Sequence, residues 1–221
     1  MHNHVEAVLL DMDGLLLDTE RLAWEGYEAA FASQEVECPK ELLMTFIGRS
    51  EQHTYRLLVE FFQDEQKATT VFKHADAHYT NSKPLLKKGV LALLDFLERE
   101  KLPWAIATSS SRAHAHLKLE SVDILKRVKH LITADDVKNA KPAPDLFLKA
   151  AQTLGVANQR ACLVLEDSEA GVRAAHAAKM MPIMIPDIYQ PSEALLPLTH
   201  AVLPSLDDFI IYFQDHFCKA G

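Results

Sequence analysis

"LLDMDGLLLDTE", from Leu9 to Glu20, sets Asp11, Asp13 and Asp18 into a segment otherwise made mostly of leucines. The residues leading into it, Val5 to Leu10, are almost uninterruptedly apolar, the pattern of a strand buried on both faces. An unpaired carboxylate in such surroundings costs several kcal/mol, so something must offset those charges. In parallel α/β sheets, polar ligand-binding groups gather just beyond the carboxyl ends of the strands, where Asp11 would stand. Reading the stretch as a strand followed by a functional loop predicts a doubly wound α/β fold.

Three later runs resemble the first: Pro103 to Thr108 (PWAIAT), Ala161 to Leu165 (ACLVL) and Met181 to Ile185 (MPIMI). Amphipathic stretches of helical length separate them, at Val90 to Glu100, Pro144 to Gly155 and Ser168 to Ala178. Strands alternating with helices argue for a parallel sheet covered on both faces. From Asp18 to about Lys83 the periodicity is helical alone, which predicts an all-helical cap inserted after the first strand. The expected division is a Rossmann-like core of residues 1–17 and 84–221 and a cap of residues 18–83. Its hinges are expected at Leu15 to Thr19 and Asn81 to Leu86.

The chain has 221 residues, 48% of them hydrophobic and 24% charged, with a formal charge of −8. That is the composition of a globular protein, and it offers no basic face for nucleic acid. Cys38, Cys162 and Cys218 are odd in number and lack ligand spacing, so they read as reduced thiols. No apolar run approaches the ~20 residues of a membrane span, and the N-terminal stretch lacks signal-peptide features, which predicts a cytoplasmic location. His2 and His4 read as part of a floppy terminus, and His74 and His78 as an exposed helix face.

The residues that follow the apolar runs can be superposed in the mind's sheet. Asp11 and Asp13 follow the first; Thr108, Ser109 and Ser110 the second; Glu166 and Asp167 the third; Lys141 lies in the proline-stiffened loop KNAKPAPD. Four carboxylates against one ammonium would raise one another's pKa unless a cation intervened. Oxygen donors without histidine or thiolate point to Mg²⁺. A cation, an ammonium, hydroxyls and backbone amides are what a phosphoryl group's oxygens require, so a phosphate ester is the expected substrate.

In these four segments the sequence resembles the haloacid dehalogenase superfamily, in the branch that carries a helical cap. "DMDGLLLDTE" is similar to its first motif, "IATSSS" to the second, Lys141 in "KPAPD" to the third and "VLEDSEAGVRAA" to the fourth. The resemblance implies that Asp11 is a nucleophile that becomes phosphorylated and Asp13 a general acid and base. It implies that Thr108 and Lys141 hold the phosphate, and that Mg²⁺ is bound by Asp11, the Asp13 carbonyl and Asp167, with Glu166 beside them. Asp13 disfavours carbon–halogen chemistry, because dehalogenases resembling this group lack an acid there.

The expected activity is a phosphatase acting on a sugar or nucleoside phosphate. The alternatives are a β-phosphoglucomutase-like mutase and, from another class, a receiver-like binding module controlled by phosphorylation. Mutases carry a histidine where Ala23 aligns, a lysine where Ile47 stands before Gly48, and an arginine shortly after that glycine, where this chain offers Glu51 after Ser50 and has Arg49 as a substitute. No nucleic-acid or membrane partner is expected, and the chain should be a monomer or a weak homodimer.

Other residues have plainer expected roles. Asp18 and Thr19 should cap the first cap helix and Ser168 the helix after the acidic pair. Ser109 and Ser110 should be turn residues, one of them touching the ligand. Trp24, Tyr27 and Phe31 should be cap core, and His53, His114 and His116 surface or satisfied polar groups. Arg49 and Ser50, between two cap helices, are the candidates for substrate specificity. Lys179 stands where relatives often end a helix with glycine.

Overall fold

The computed structural model describes residues 4–46, 49–188 and 190–217. The expectations on His2, Ile47, Gly48 and Cys218 lie outside the described residues. In chain order the elements are β1 (Ala7–Leu10), α1 (Thr19–Ala32), α2 (Lys40–Met44), α3 (Glu51–Phe62), α4 (Glu65–Asn81), α5 (Val90–Arg99), β2 (Trp104–Ala107), α6 (Arg112–Ser121), β3 (Leu131–Ile132), α7 (Asp145–Thr153), β4 (Cys162–Glu166), α8 (Glu169–Ala177), β5 (Met181–Met184), β6 (Ala201–Val202) and α9 (Leu206–Phe217).

The strands form one parallel sheet in the order β3-β2-β1-β4-β5-β6, with the doubly wound architecture expected. Strand β1 lies between β2 and β4, which is why its sequence is apolar at every position. Ala7 and Leu9 pack with Leu146, Phe147 and Ala174 from α7 and α8. Val8 and Leu10 join Leu93, Leu94 and Phe209 from α5 and α9. Each face of the sheet thus has its own core. Four strands match the expected runs; β3 and β6, two residues each, and helices α6 and α9 were not among the elements expected. None of the described helices is long and apolar enough to cross a membrane.

Helices α1 to α4 pack on one another around a separate small core of Ala30, Phe31, Leu58, Ala68, Val71 and Ala75. The chain enters and leaves this helical unit side by side: the Asp18 amide donates to the Leu85 carbonyl at 2.9 Å, and the Lys87 amide to Leu16 at 2.9 Å. Leu17 bridges to both Asp13 and Leu86. A second tie comes from α6, where Lys118 is fully buried and donates to the carbonyls of Tyr79 and of Ser82, the latter at 2.6 Å. It meets the carbonyls left open at the end of α4, where a cation is favoured.

Candidate active site

The ladder between β1 and β4 runs one residue beyond β1, because the Asp11 amide donates to the Leu165 carbonyl at 3.0 Å. That extra bond sets the Asp11 side chain beside the acidic end of β4. Lys141, from the loop before α7, donates to Asp11 Oδ1 and, at 2.7 Å, to Glu166 Oε1. The other Glu166 oxygen accepts from the amide and the hydroxyl of Ser168, both at 2.9 Å. Ser168 also caps α8 as expected, its Oγ accepting from the Gly171 amide at 3.1 Å.

Two glycines make this closeness possible. A Cβ on Gly171 would overlap the Glu166 carboxylate, so α8 can lie this close to that side chain only with glycine there. A Cβ on Gly14 would overlap the Asp167 carboxylate, and Gly14 has a φ of +79° that side-chain-bearing residues avoid.

Asp11, Glu166 and Asp167 are buried and can each bring an oxygen within 4.8 Å of the others. Burial, reinforced by Glu166 and Asp13 and opposed by Lys141, pushes the Asp11 carboxyl up to about 8. Burial, with Glu166 and Asp11, raises Asp167 well above the usual carboxylate range. Burial alone would lower Lys141, but Asp11 and Glu166 outweigh it and leave its pKa raised. Three buried carboxylates around one ammonium leave an uncompensated negative centre. Its donors are all oxygen, the chemistry of a hard divalent cation, so the residues present fit such an ion.

Asp13 is placed differently. Its Oδ1 accepts from Thr19 Oγ1 at 2.8 Å and Tyr79 OH at 2.9 Å; its Oδ2 accepts from Thr108 Oγ1 at 2.9 Å and Ser110 Oγ at 2.8 Å. One oxygen is therefore held from the helical unit and the other from the loop after β2. The Asp13 carboxylate is not in the acidic cluster, and the Thr108 hydroxyl, expected on the phosphate, is turned to Asp13. The expectation that Asp18 and Thr19 are simple caps is corrected. Asp18 makes no side-chain capping bond and accepts from Arg21 at 3.1 Å, while Thr19 is buried against Asp13.

Above Asp11 and Asp13 a cavity of about 140 Å³ opens between the sheet edge and the helical unit. Trp24 and Tyr27 line it; of the three aromatics expected as cap core, Phe31 belongs to the buried cluster and Tyr27 packs against it. His114 also lines it, with its ring nitrogens 3.0 Å from Glu51 and 3.5 Å from Asp76. Arg49 borders this cavity and a neighbouring cleft that reaches Lys141, and Ser50 caps α3 from that cleft. His53 lines the cleft, and His116 is exposed. His74 is exposed, whereas His78 is half-buried, 3.9 Å from Glu25. Sequence reasoning missed Tyr79 altogether and marked Glu51 only as a departure from the mutase pattern; both sit on amphipathic helices whose patterns mark only the buried side.

A parallel sheet carrying a buried lysine and an acidic cluster at its strand ends, with a helical unit over the cavity, defines a capped α/β hydrolase. The model of the haloacid dehalogenase-like hydrolases matches residues 8–185. The chain belongs to that family, as a phosphohydrolase. It is 34% identical over 215 residues to a probable pseudouridine-5′-phosphatase of Drosophila melanogaster, covering 91% of this chain and 90% of the relative. It is 32% identical over 178 residues to a phosphorylated carbohydrates phosphatase of Thermotoga maritima, covering 79% and 82%. A solved hydrolase from Pseudomonas syringae shares the fold, with a TM-score of 0.82, 23% identity and coverage of 95% and 98%.

Proposed function

We propose that the chain is a Mg²⁺-dependent, cytoplasmic phosphatase that hydrolyses a sugar or nucleoside phosphate through an aspartyl-phosphate on Asp11. The observation that carries this reading is the position of Asp11, buried against Lys141 and the acidic pair at the floor of the cavity. The names of the relatives support the substrate class, since one is described as acting on pseudouridine 5′-phosphate and another on phosphorylated carbohydrates.

In the first step an Asp11 oxygen forms a bond to phosphorus while the bond to the leaving oxygen breaks and Asp13 gives that oxygen its proton. In the second, water attacks the phosphorus, Asp13 takes its proton, and the Asp11–phosphorus bond breaks. Lys141 holds the attacking carboxylate and the phosphoryl oxygens. Thr108, Ser109 and Ser110 stand where they orient either Asp13 or the phosphate. Asp11, Asp167 and the Asp13 carbonyl, with Glu166 beside them, would hold Mg²⁺, which would supply there the positive charge that offsets the carboxylates and the phosphate. Helices α1 to α4 exclude bulk water from the cavity.

Asp11→Asn should abolish phosphate release from p-nitrophenyl phosphate and from a panel of sugar and nucleoside phosphates assayed with Mg²⁺. Undiminished turnover by that variant would refute the nucleophile assignment. Mutase action is disfavoured because Ala23, in the cavity wall, offers no proton-shuttling group. Multiple turnovers, rather than one phosphate taken up per chain, would exclude the receiver-like reading.

A further inference from the structure

The chain carries a formal charge of −8, yet cations gather in one cleft. It holds about 460 Å³ and lies between the helical unit and residues 134–142, the loop that carries Lys141. Arg49, His53 and Arg56 line it from the helical unit, and Lys138 from the loop. His53 and Arg56 share a face of α3, where the Arg56 guanidinium donates to His53 Nδ1 at 3.2 Å. Arginine can only donate, so that nitrogen accepts and the neutral ring keeps its proton on Nε2. Burial first, then Arg49 and Arg56, lower the His53 pKa accordingly. Two carboxylates share the wall without reaching these cations. Glu51 is bonded to His114 at 3.0 Å, and Asp135 accepts from the Arg112 amide at 2.8 Å. Among the described residues, no ion pair includes Arg49, Arg56 or Lys138. Lys141, which the cleft reaches, is committed to Asp11 and Glu166.

Two guanidinium groups, an ammonium and an imidazole N–H around one cleft are donors suited to the oxygens of a dianion. Their mutual repulsion is relieved when such an ion binds, which draws the two sides together. We propose that this cleft is a second anion site, which binds one phosphate-type dianion between α3 and the 134–142 loop, apart from the phosphate handled at Asp11. Held from both sides, the anion restrains the opening through which products leave and so slows turnover. The slowing rests on the phosphatase reading; the binding site does not.

The first test is amide hydrogen exchange of the full chain with Mg²⁺, with and without millimolar inorganic phosphate. Exchange at residues 50–56 and 134–140 should slow severalfold with phosphate. In Arg56→Gln and in Lys138→Gln that slowing should be lost. No slowing in the unmodified chain overturns the inference. Slowing that persists in both variants belongs to phosphate at Asp11 and overturns it equally.

The second test is inhibition of p-nitrophenyl phosphate hydrolysis. With an aspartyl-phosphate intermediate, phosphate leaves last and returns to the same free enzyme as the substrate, so at Asp11 it inhibits competitively. Phosphate in the cleft should lower kcat as well. Each variant should weaken this noncompetitive component by about fivefold and leave the competitive constant and the uninhibited kcat within about twofold. Phenylphosphonate, whose carbon–phosphorus bond resists hydrolysis, serves as the second probe, and the tighter noncompetitive inhibitor tells a carried phosphate from a free one. Purely competitive inhibition by both probes overturns the effect on turnover. Absence of p-nitrophenyl phosphate hydrolysis defeats the phosphatase reading, and the exchange measurement then decides the site alone.

Discussion

Tyr79 shows how much one hydroxyl outside the sequence motifs contributes to the proposed chemistry. It donates to Asp13 at 2.9 Å, its ring lies under the Lys118 ammonium at 4.3 Å, and its carbonyl accepts from the same lysine. The residue is fixed on three sides while it holds the carboxylate assigned as the acid. Tyr79→Phe removes the donor and keeps the ring, so Asp13 should lose orientation without loss of the fold. Protonation of the leaving oxygen matters for an alkyl phosphate and little for p-nitrophenolate, which leaves readily unprotonated. The variant's kcat should fall about tenfold on an alkyl phosphate and about twofold or less on p-nitrophenyl phosphate; equal losses on both would reduce Tyr79 to a structural part. The sequence made Asp11, Lys141, Glu166 and Asp167 legible as one charged centre, since each follows or adjoins an apolar run, and the structure brings them together. It did not reveal Tyr79 or Thr19, because their roles depend on where two distant helix ends dock on Asp13.

At the scale of elements, burial decided what could be read in advance. Strands β1, β2, β4 and β5 carry four or five mostly apolar residues each and stand out against the helices between them. Strands β3 and β6 pair over two residues at the sheet's edges, too short for any period to show. Helix α6 is hidden for another reason: its buried face includes Lys118, so a polar residue occupies a position where the amphipathic pattern calls for an apolar one. The end of α8 was legible and carries a testable cost. Lys179 has a φ of +60° just past the helix, where the Met180 amide closes on the Ala175 carbonyl at 3.1 Å. A left-handed conformation costs a side-chain-bearing residue about 1–2 kcal/mol, part of which glycine would return through the larger freedom of its unfolded chain. Lys179→Gly should therefore stabilise the protein by up to about 1 kcal/mol, or roughly 2–4 °C in Tm, with turnover unchanged. A lower denaturant midpoint would mean that the lysine's charge at the helix end outweighs the strain.

Over the whole molecule, the helical unit meets the sheet layer through α6, and His114 is the titratable part of that contact. Facing it are Glu51 from α3, Asp76 and Thr80 from α4, Tyr79, and Lys118 from its own helix. The hydrogen bond to Glu51 raises His114 above its ordinary 6.5 against the effect of burial. The same bond lowers Glu51 below its ordinary 4.5. For the histidine, the stabilisation is fully present below 6.5 and is lost as pH rises through the raised folded value. For the glutamate, it is present above 4.5 and is lost as pH falls through the lowered one. The contact is therefore firmest between about 4.5 and 6.5 and loosens on the alkaline side. Because Tyr79 ends α4 beside this contact, loosening it also frees one of the donors on Asp13. Amide hydrogen exchange at residues 51–54 and 79–82, corrected for intrinsic rates and measured with Mg²⁺ present, should speed up from pH 6 to pH 8.5. In His114→Gln the same amides should exchange faster at pH 6 and lose that dependence. An identical pH slope in both proteins would place the titrating group elsewhere.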